Sequence, residues 1–228
     1  MSPSPRRQLP IAVCIELGAK RVFASALDWP GWCRSGRDEH QALVALEDYA
    51  SRYGVVAAEA GVALPEDAGA SLAVVERVAG SATTDFGAPG AVAAGDAAAS
   101  GPGEARRIAA LVDASWRALD RVVAAAPATL RKGPRGGGRD RDAIAAHVLA
   151  AEAAYARKLG VRLPAPEPGD VEAVARLRAA ILAVLAATSD GSPASERGWL
   201  PRYWARRIAW HALDHAWEIE DRSEPAES

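Results

Sequence analysis

Cysteine is nearly missing from this chain. Cys14 and Cys33 are the only two in 228 residues. They are too few and too widely separated for a disulfide framework or a zinc knuckle, so both are expected to be reduced, buried thiols. A large excess of either charge is also absent. The net charge of −2 and pI near 6.1 give no basic field for nucleic acid or an anionic membrane. No apolar run approaches the roughly 20 residues a spanning helix needs. The opening Met-Ser-Pro-Ser-Pro-Arg-Arg-Gln has no apolar core for a signal peptide. The expected location is therefore the cytoplasm, with no membrane and no nucleic acid among the expected partners. Aromatic residues are scarce at 6%, but seven of them are tryptophan. Trp199, Trp204, Trp210 and Trp217 fall in or just before one helical segment, which marks that helix as central to a core.

With 50% hydrophobic and 25% charged residues, the chain should pack as one domain or two small ones. Its first part is β-like. Residues 11–17 are short, β-branched and apolar, 18–20 make a turn, and 21–27 alternate like a half-buried strand, which predicts a hairpin. Pro30 and Gly31 mark a turn and edge region. Asp38 is a candidate N-cap for a helix running to about Ala60, and residues 71–78 form a third strand. Residues 81–103 are rich in Gly, Ala, Ser, Thr and Pro and read as a linker or draped loop.

Beyond it the period becomes helical. Four amphipathic segments, near 104–125, 140–159, one capped by Asp170 with Leu177, Ile181, Leu182 and Leu185 on its stripe, and 199–222, predict a four-helix bundle, with residues 223–228 as a disordered tail. The expected class is α+β: a small ββαβ unit over residues 1–80, then the bundle over 104–222.

Three of the four histidines fit one metal site. His211 and His215 are spaced i, i+4 and so stack on one helix face, shared with Trp204, Ile208, Glu218 and Ile219. His147 lies near the apolar stripe of the second long helix, so burying both stripes would aim all three imidazoles at one place. Neutral imidazole is the commonest metal ligand, and three of them leave positions free for water or substrate. The plainer alternative is a pair of core histidines satisfied by backbone carbonyls or by Asp214. Glu218, one turn beyond His215, is a candidate catalytic base, fourth ligand or acceptor fixing an imidazole tautomer, or else a salt-bridge partner of Arg222 or Arg207. Glu152 and Tyr155 are expected to be structural, and His40 a solvated surface residue. The loop carrying Arg131, Lys132, Arg135 and Arg139, with three successive glycines before a helix, is a candidate anion-binding element.

His147 within the second helix and the Trp210-His-Ala-Leu-Asp-His215 segment late in the last one resemble the DinB-like (DinB/YfiT-like) family over about residues 104–222. That resemblance implies a four-helix bundle holding a divalent metal, nickel or zinc, on His147, His211 and His215. Some members of that family are transferases or isomerases that use a small thiol, and related bundles often form dimers. The Phe23-Ala-Ser-Ala-Leu-Asp-Trp-Pro-Gly31 and Ser35-Gly-Arg-Asp-Glu39 segments resemble the HicB-like antitoxin fold over about residues 9–80. A DNA-binding tail usually follows that fold, whereas here the helical half does.

The function these readings imply is a metal-dependent thiol transferase or hydrolase acting on a small-molecule substrate, with a low-molecular-weight thiol as a candidate co-substrate and a homodimer as a candidate assembly. A metal held by three histidines would polarise a substrate, or lower the pKa of a water or thiol to give a nucleophile near neutral pH. The alternative is a non-catalytic binding module, in which the metal is structural and the HicB-like half meets a protein partner.

Overall fold

The computed structural model describes residues 9–133 and 137–223. Arg135 and the expected tail from residue 224 lie outside the described residues. The chain forms two compact units, one of residues up to Asp28 together with Trp32–Ala93, the other of Trp29–Gly31 together with the chain from Ala94 onward. The class is α+β, with a four-stranded sheet in the N-terminal part.

The first unit begins with β1 (Ile11–Leu17) and β2 (Val22–Ala26), antiparallel from Val13↔Ala26 to Leu17↔Val22. The turn between them is closed by the Gly18 amide donating to the Arg21 carbonyl at 3.0 Å. The region past Pro30 and Gly31 does more than turn. It supplies a short edge strand, β3 (Cys33–Gly36), against β2. Two helices, α1 (Glu39–Asp48) and α2 (Ala50–Glu59), then lead to β4 (Leu72–Ala79), which runs parallel to β1 and gives the order β3-β2-β1-β4.

Asp38 caps α1 by accepting from the Gln41 amide at 2.8 Å. The single helix expected as far as Ala60 is broken at Tyr49, whose backbone leaves helical geometry at φ −88°, ψ 1°. The buried Trp32 indole donates to the Leu46 carbonyl at 2.9 Å and stacks on Tyr53 at 5.4 Å. A carbonyl next to the break thus has a partner outside the helix, which compensates for the interrupted ladder. Cys14 and Cys33 are both buried thiols.

Residues 81–93, expected to be part of a linker, belong to the first unit. They contain a short helix, α3 (Ala82–Phe86), started by a capping box between Ser81 and Thr84. The cause lies in the sheet. Glu16 on β1 is buried at 4% exposure and must find donors there. It accepts from the Thr84 hydroxyl, from the Gly90 amide at 2.9 Å and from the Ala91 amide at 3.0 Å.

The second unit contains four long helices: α4 (Pro102–Ala125), α5 (Arg141–Ala156, extended by a 3-10 turn at Arg157–Leu159), α6 (Val171–Leu185) and α7 (Pro201–Ser223). Pro102 starts α4 where its missing N–H costs nothing, and the Asp170 carboxylate accepts from the Ala173 amide at 2.9 Å to cap α6. Helix α7 packs on α4 and α5, and α6 packs on α4 and α5. Val112, Trp116, Ile144, Val148, Leu177, Ile181, Trp204 and Ile208 share one core. Every residue of α7 from 203 to 213 is buried, so the tryptophan-rich helix is the central one.

Two arginines tie this unit together through ion pairs. Arg206 holds Asp96 through two bonds of 2.9 and 2.5 Å. Arg178 on α6 reaches Glu152 on α5 through bonds of 3.0 and 3.1 Å, and Asp120 on α4 at 2.6 Å. Among the described residues no helix is long and apolar enough to cross a membrane.

Candidate metal centre

Helix α7 sets two imidazoles one turn apart, and α5 brings a third against them. The candidate ligand atoms of His147, His211 and His215 lie within 4.8 Å of one another, close enough to bind a metal. Their rings are 4.8 to 5.2 Å apart between centroids, all in edge-on arrangements. The Nε2 atoms of His147 and His211 face each other at 3.3 Å. An ion about 2.0–2.1 Å from both would see them at an angle of roughly 105°, close to tetrahedral. That separation therefore suits a zinc-like ion.

The third ring is already oriented. His215 Nδ1 lies 2.8 Å from Glu218 Oε2. A proton shared in that bond leaves Nε2 of His215 with its lone pair toward the cluster, which is the tautomer a ligand needs. Arg222 Nη1 in turn donates to Glu218 Oε1 at 2.7 Å. The carboxylate thus serves at once as the His215 acceptor and the Arg222 salt bridge, two of the roles the sequence left open for it. These bonds, that to His215 first and that to Arg222 next, hold the Glu218 carboxyl below its ordinary range against the opposing effect of burial.

Electrostatics favours neutral rings at His147 and His211. Burial, followed by the charges of His215, His147, Arg207 and Arg139, lowers the His211 pKa to about 2. His147 is lowered by burial, then by His215 and Arg139, with Glu218 opposing. Neutral imidazole is the form that ligates metal. His211 Nδ1 is buried and has no hydrogen-bond partner among the described residues. In the tautomer that ligates through Nε2, this nitrogen carries the proton as a buried donor, a cost that metal binding must offset. Three imidazole donors fit a zinc or first-row transition-metal ion better than a calcium or magnesium ion, which takes oxygen ligands.

One wall of the cluster is aromatic and cationic. Trp210 and Tyr155 stand 5.9 and 6.1 Å from the His211 ring, and Arg207 donates to the Tyr155 hydroxyl at 3.4 Å. Arg207 is one turn before His211, a neighbour that i, i+4 spacing makes visible in the sequence.

The other expected site residues fall as follows. Arg131 lies beside the end of α7, donating from its guanidinium to the Asp221 carbonyl at 2.7 Å. Lys132 pairs with Asp140 at 2.5 Å. Arg139 is exposed, with its charge felt at both His147 and His211. Glu152 is fully buried on Arg178 and takes no part in the histidine cluster, and His40 is exposed.

No protein-family model, no curated protein and no solved structure matches this chain.

Proposed function

We propose that the second unit is a DinB-like four-helix bundle holding one divalent metal ion, zinc or nickel, on His147, His211 and His215, and that the protein is a metal-dependent enzyme of the transferase or hydrolase class. The observation that carries this reading is the convergence of three imidazoles within 4.8 Å, with His215 oriented by Glu218. An ion there would act as a Lewis acid toward a small substrate, or lower the pKa of a water or thiol.

The chain's own residues divide the remaining work. His147 and His211 present neutral nitrogens from two different helices, so packing of α5 on α7 fixes the distance between them. Glu218 fixes the His215 tautomer and can exchange a proton with that ring. Arg222 keeps Glu218 ionised and in place. Tyr155 and Trp210 exclude water on the His211 side. A thiol transfer or a hydrolysis is the reaction class that the DinB-like resemblance adds, an argument by analogy of fold.

A second reading is a binding module with a structural metal, the HicB-like half meeting a protein partner. It is favoured by the burial of His211, at 6% exposure, which restricts access to that ligand. Elemental analysis of tag-free protein against His211→Ala tests the shared premise. A stoichiometric divalent metal, lost in the variant, supports both readings. Zinc-dependent turnover in a screen of thiol-transfer and ester-hydrolysis substrates then selects the enzyme. No metal in either protein after incubation with zinc or nickel contradicts both.

A further inference from the structure

A pocket of about 450 Å³ opens between the basic loop and the end of α7. Its lining includes Arg131, Lys132, Gly138, Glu218 and Arg222. Glu218 is also the residue that holds His215, so the pocket and the histidine cluster share a wall one side chain thick. The volume falls within the range of small-ligand sites.

The charge in this pocket is built from three cations against one carboxylate of the lining. Glu218 is consumed by His215 and Arg222. Lys132 is shared with Asp140, which stands beside the pocket, and with the Gly138 carbonyl at 3.3 Å. Among the described residues the Arg131 guanidinium is engaged by the Asp221 carbonyl and by no carboxylate. Arg222 Nη2 is a buried donor without an acceptor among the described residues.

Arg131 and Arg222 are joined by reciprocal bonds. The Arg131 amide donates to the Arg222 carbonyl at 3.0 Å, and Arg222 Nε donates to the Arg131 carbonyl at 2.8 Å. Gly138 makes the closure feasible. Its φ is +116°, and a Cβ there would stand 2.7 Å from Arg222 Nη2.

We propose that this pocket is an oxyanion subsite, and that the substrate of the metal centre is a small organic anion whose carboxylate or phosphate is received by Arg131 and Lys132. A guanidinium and an ammonium converging on one cavity suit an oxyanion, because each donor adds a charge-assisted hydrogen bond. Glu218 lines this pocket and also bonds His215 at 2.8 Å, so the pocket lies next to the histidine cluster. The assignment of substrate class rests on the metal-centre reading, whereas the pocket itself does not.

The test is a phosphate titration of metal-free and zinc-loaded protein, followed by backbone amide shifts, against chloride at matched ionic strength. The comparison variant is Arg131→Gln/Lys132→Gln, which keeps the Arg131 backbone bonds. Its fold is checked by circular dichroism and its zinc affinity is measured in parallel. The proposal expects shifts confined to residues around 131–133, 137–140 and 218–222, and phosphate affinity about tenfold weaker in the variant. Zinc affinity should be unchanged. Phosphate binding no tighter than chloride, or equal in both proteins, overturns the proposal even if zinc binds. Phosphate binding that depends on Arg131 and Lys132 in a protein that takes up no zinc leaves the subsite standing and removes the metal-centre reading instead. A free oxyanion and one carried on a substrate are separated by repeating the titration with acetate and phenyl phosphate.

Discussion

Replacing Arg178 by Met isolates a buried electrostatic commitment in the helical unit. Glu152 is 0% exposed and is held by Arg178 through bonds of 3.0 and 3.1 Å. Burial already pushes the Glu152 carboxyl above its ordinary range, against the pull of Arg178. Arg178 also bridges to Asp120 at 2.6 Å and stacks on Trp116 at 5.2 Å, so its removal affects α4, α5 and α6 together. Breaking a buried pair from one side costs about 3–5 kcal/mol, because the remaining charge stays desolvated. Methionine keeps most of the packing volume, so the loss is chiefly electrostatic. The sign of the pH dependence follows from linkage. A carboxyl whose folded pKa lies above its unfolded one favours the folded state at low pH, and that contribution is lost as pH rises through the folded pKa. Arg178→Met should therefore be destabilised more at pH 8 than at pH 5, with a slope of at most about 1.36 kcal/mol per pH unit from this one group. Urea unfolding at several pH values measures it. Arg178→Met/Glu152→Gln should recover most of the loss. A single variant within about 0.5 kcal/mol of wild type, or one with no added pH slope, would refute the reasoning.

Three further outcomes follow from the metal centre and its surroundings. Glu218→Gln keeps an acceptor for His215 but not the charge, and zinc affinity measured by competition with a chelating dye should fall by about 10- to 100-fold; an unchanged affinity removes Glu218 from the site. Metal-free protein should lose stability as pH falls below about 6.5, because unfolding lets His211 take up a proton that burial denies it, its folded pKa being about 2. His211→Leu should flatten that acid limb, and a wild-type curve that does not fall between pH 6.5 and 5 contradicts the burial argument. Gly138→Ala forces a side chain onto Arg222 at a positive φ, so thermal unfolding should show a cost of about 1 kcal/mol or more, together with weaker protection of the amides near Arg131 from hydrogen exchange.

How far the sequence could be read depended on the range of the interaction. Local devices were visible. Asp38 and Asp170 stand at helix starts and accept from the third residue on, and Gly160 ends its helix at φ +92°. The i, i+4 spacing of His211 and His215 made their shared face calculable, and it made the reach of Arg222 to Glu218 calculable too. Contacts across many residues left no such trace. Nothing near Tyr49 announces a break, because the indole beside it comes from Trp32. The segment after Gly80 has the composition of a linker, and only the buried carboxylate of Glu16 explains why it folds into the first unit. The single local hint there was Ser81 three residues before Thr84, a capping pair built from side chains that also suit loops. The pairing of Arg206 with Asp96 spans 110 positions and that of Arg178 with Glu152 spans 26, and periodicity carries no information about partners that far apart. His147 was readable as lying near an apolar stripe. Its 3.3 Å approach to His211 depends on how α5 packs on α7, which only the folded unit displays.

X-ray absorption at the zinc edge of stoichiometrically loaded protein addresses the three-histidine centre most directly, since it counts imidazoles without reference to activity. The account predicts three imidazole nitrogens about 2.0–2.1 Å from the ion, falling to two in His147→Ala. A spectrum of oxygen ligands alone, or one that His147→Ala leaves unchanged, would contradict it.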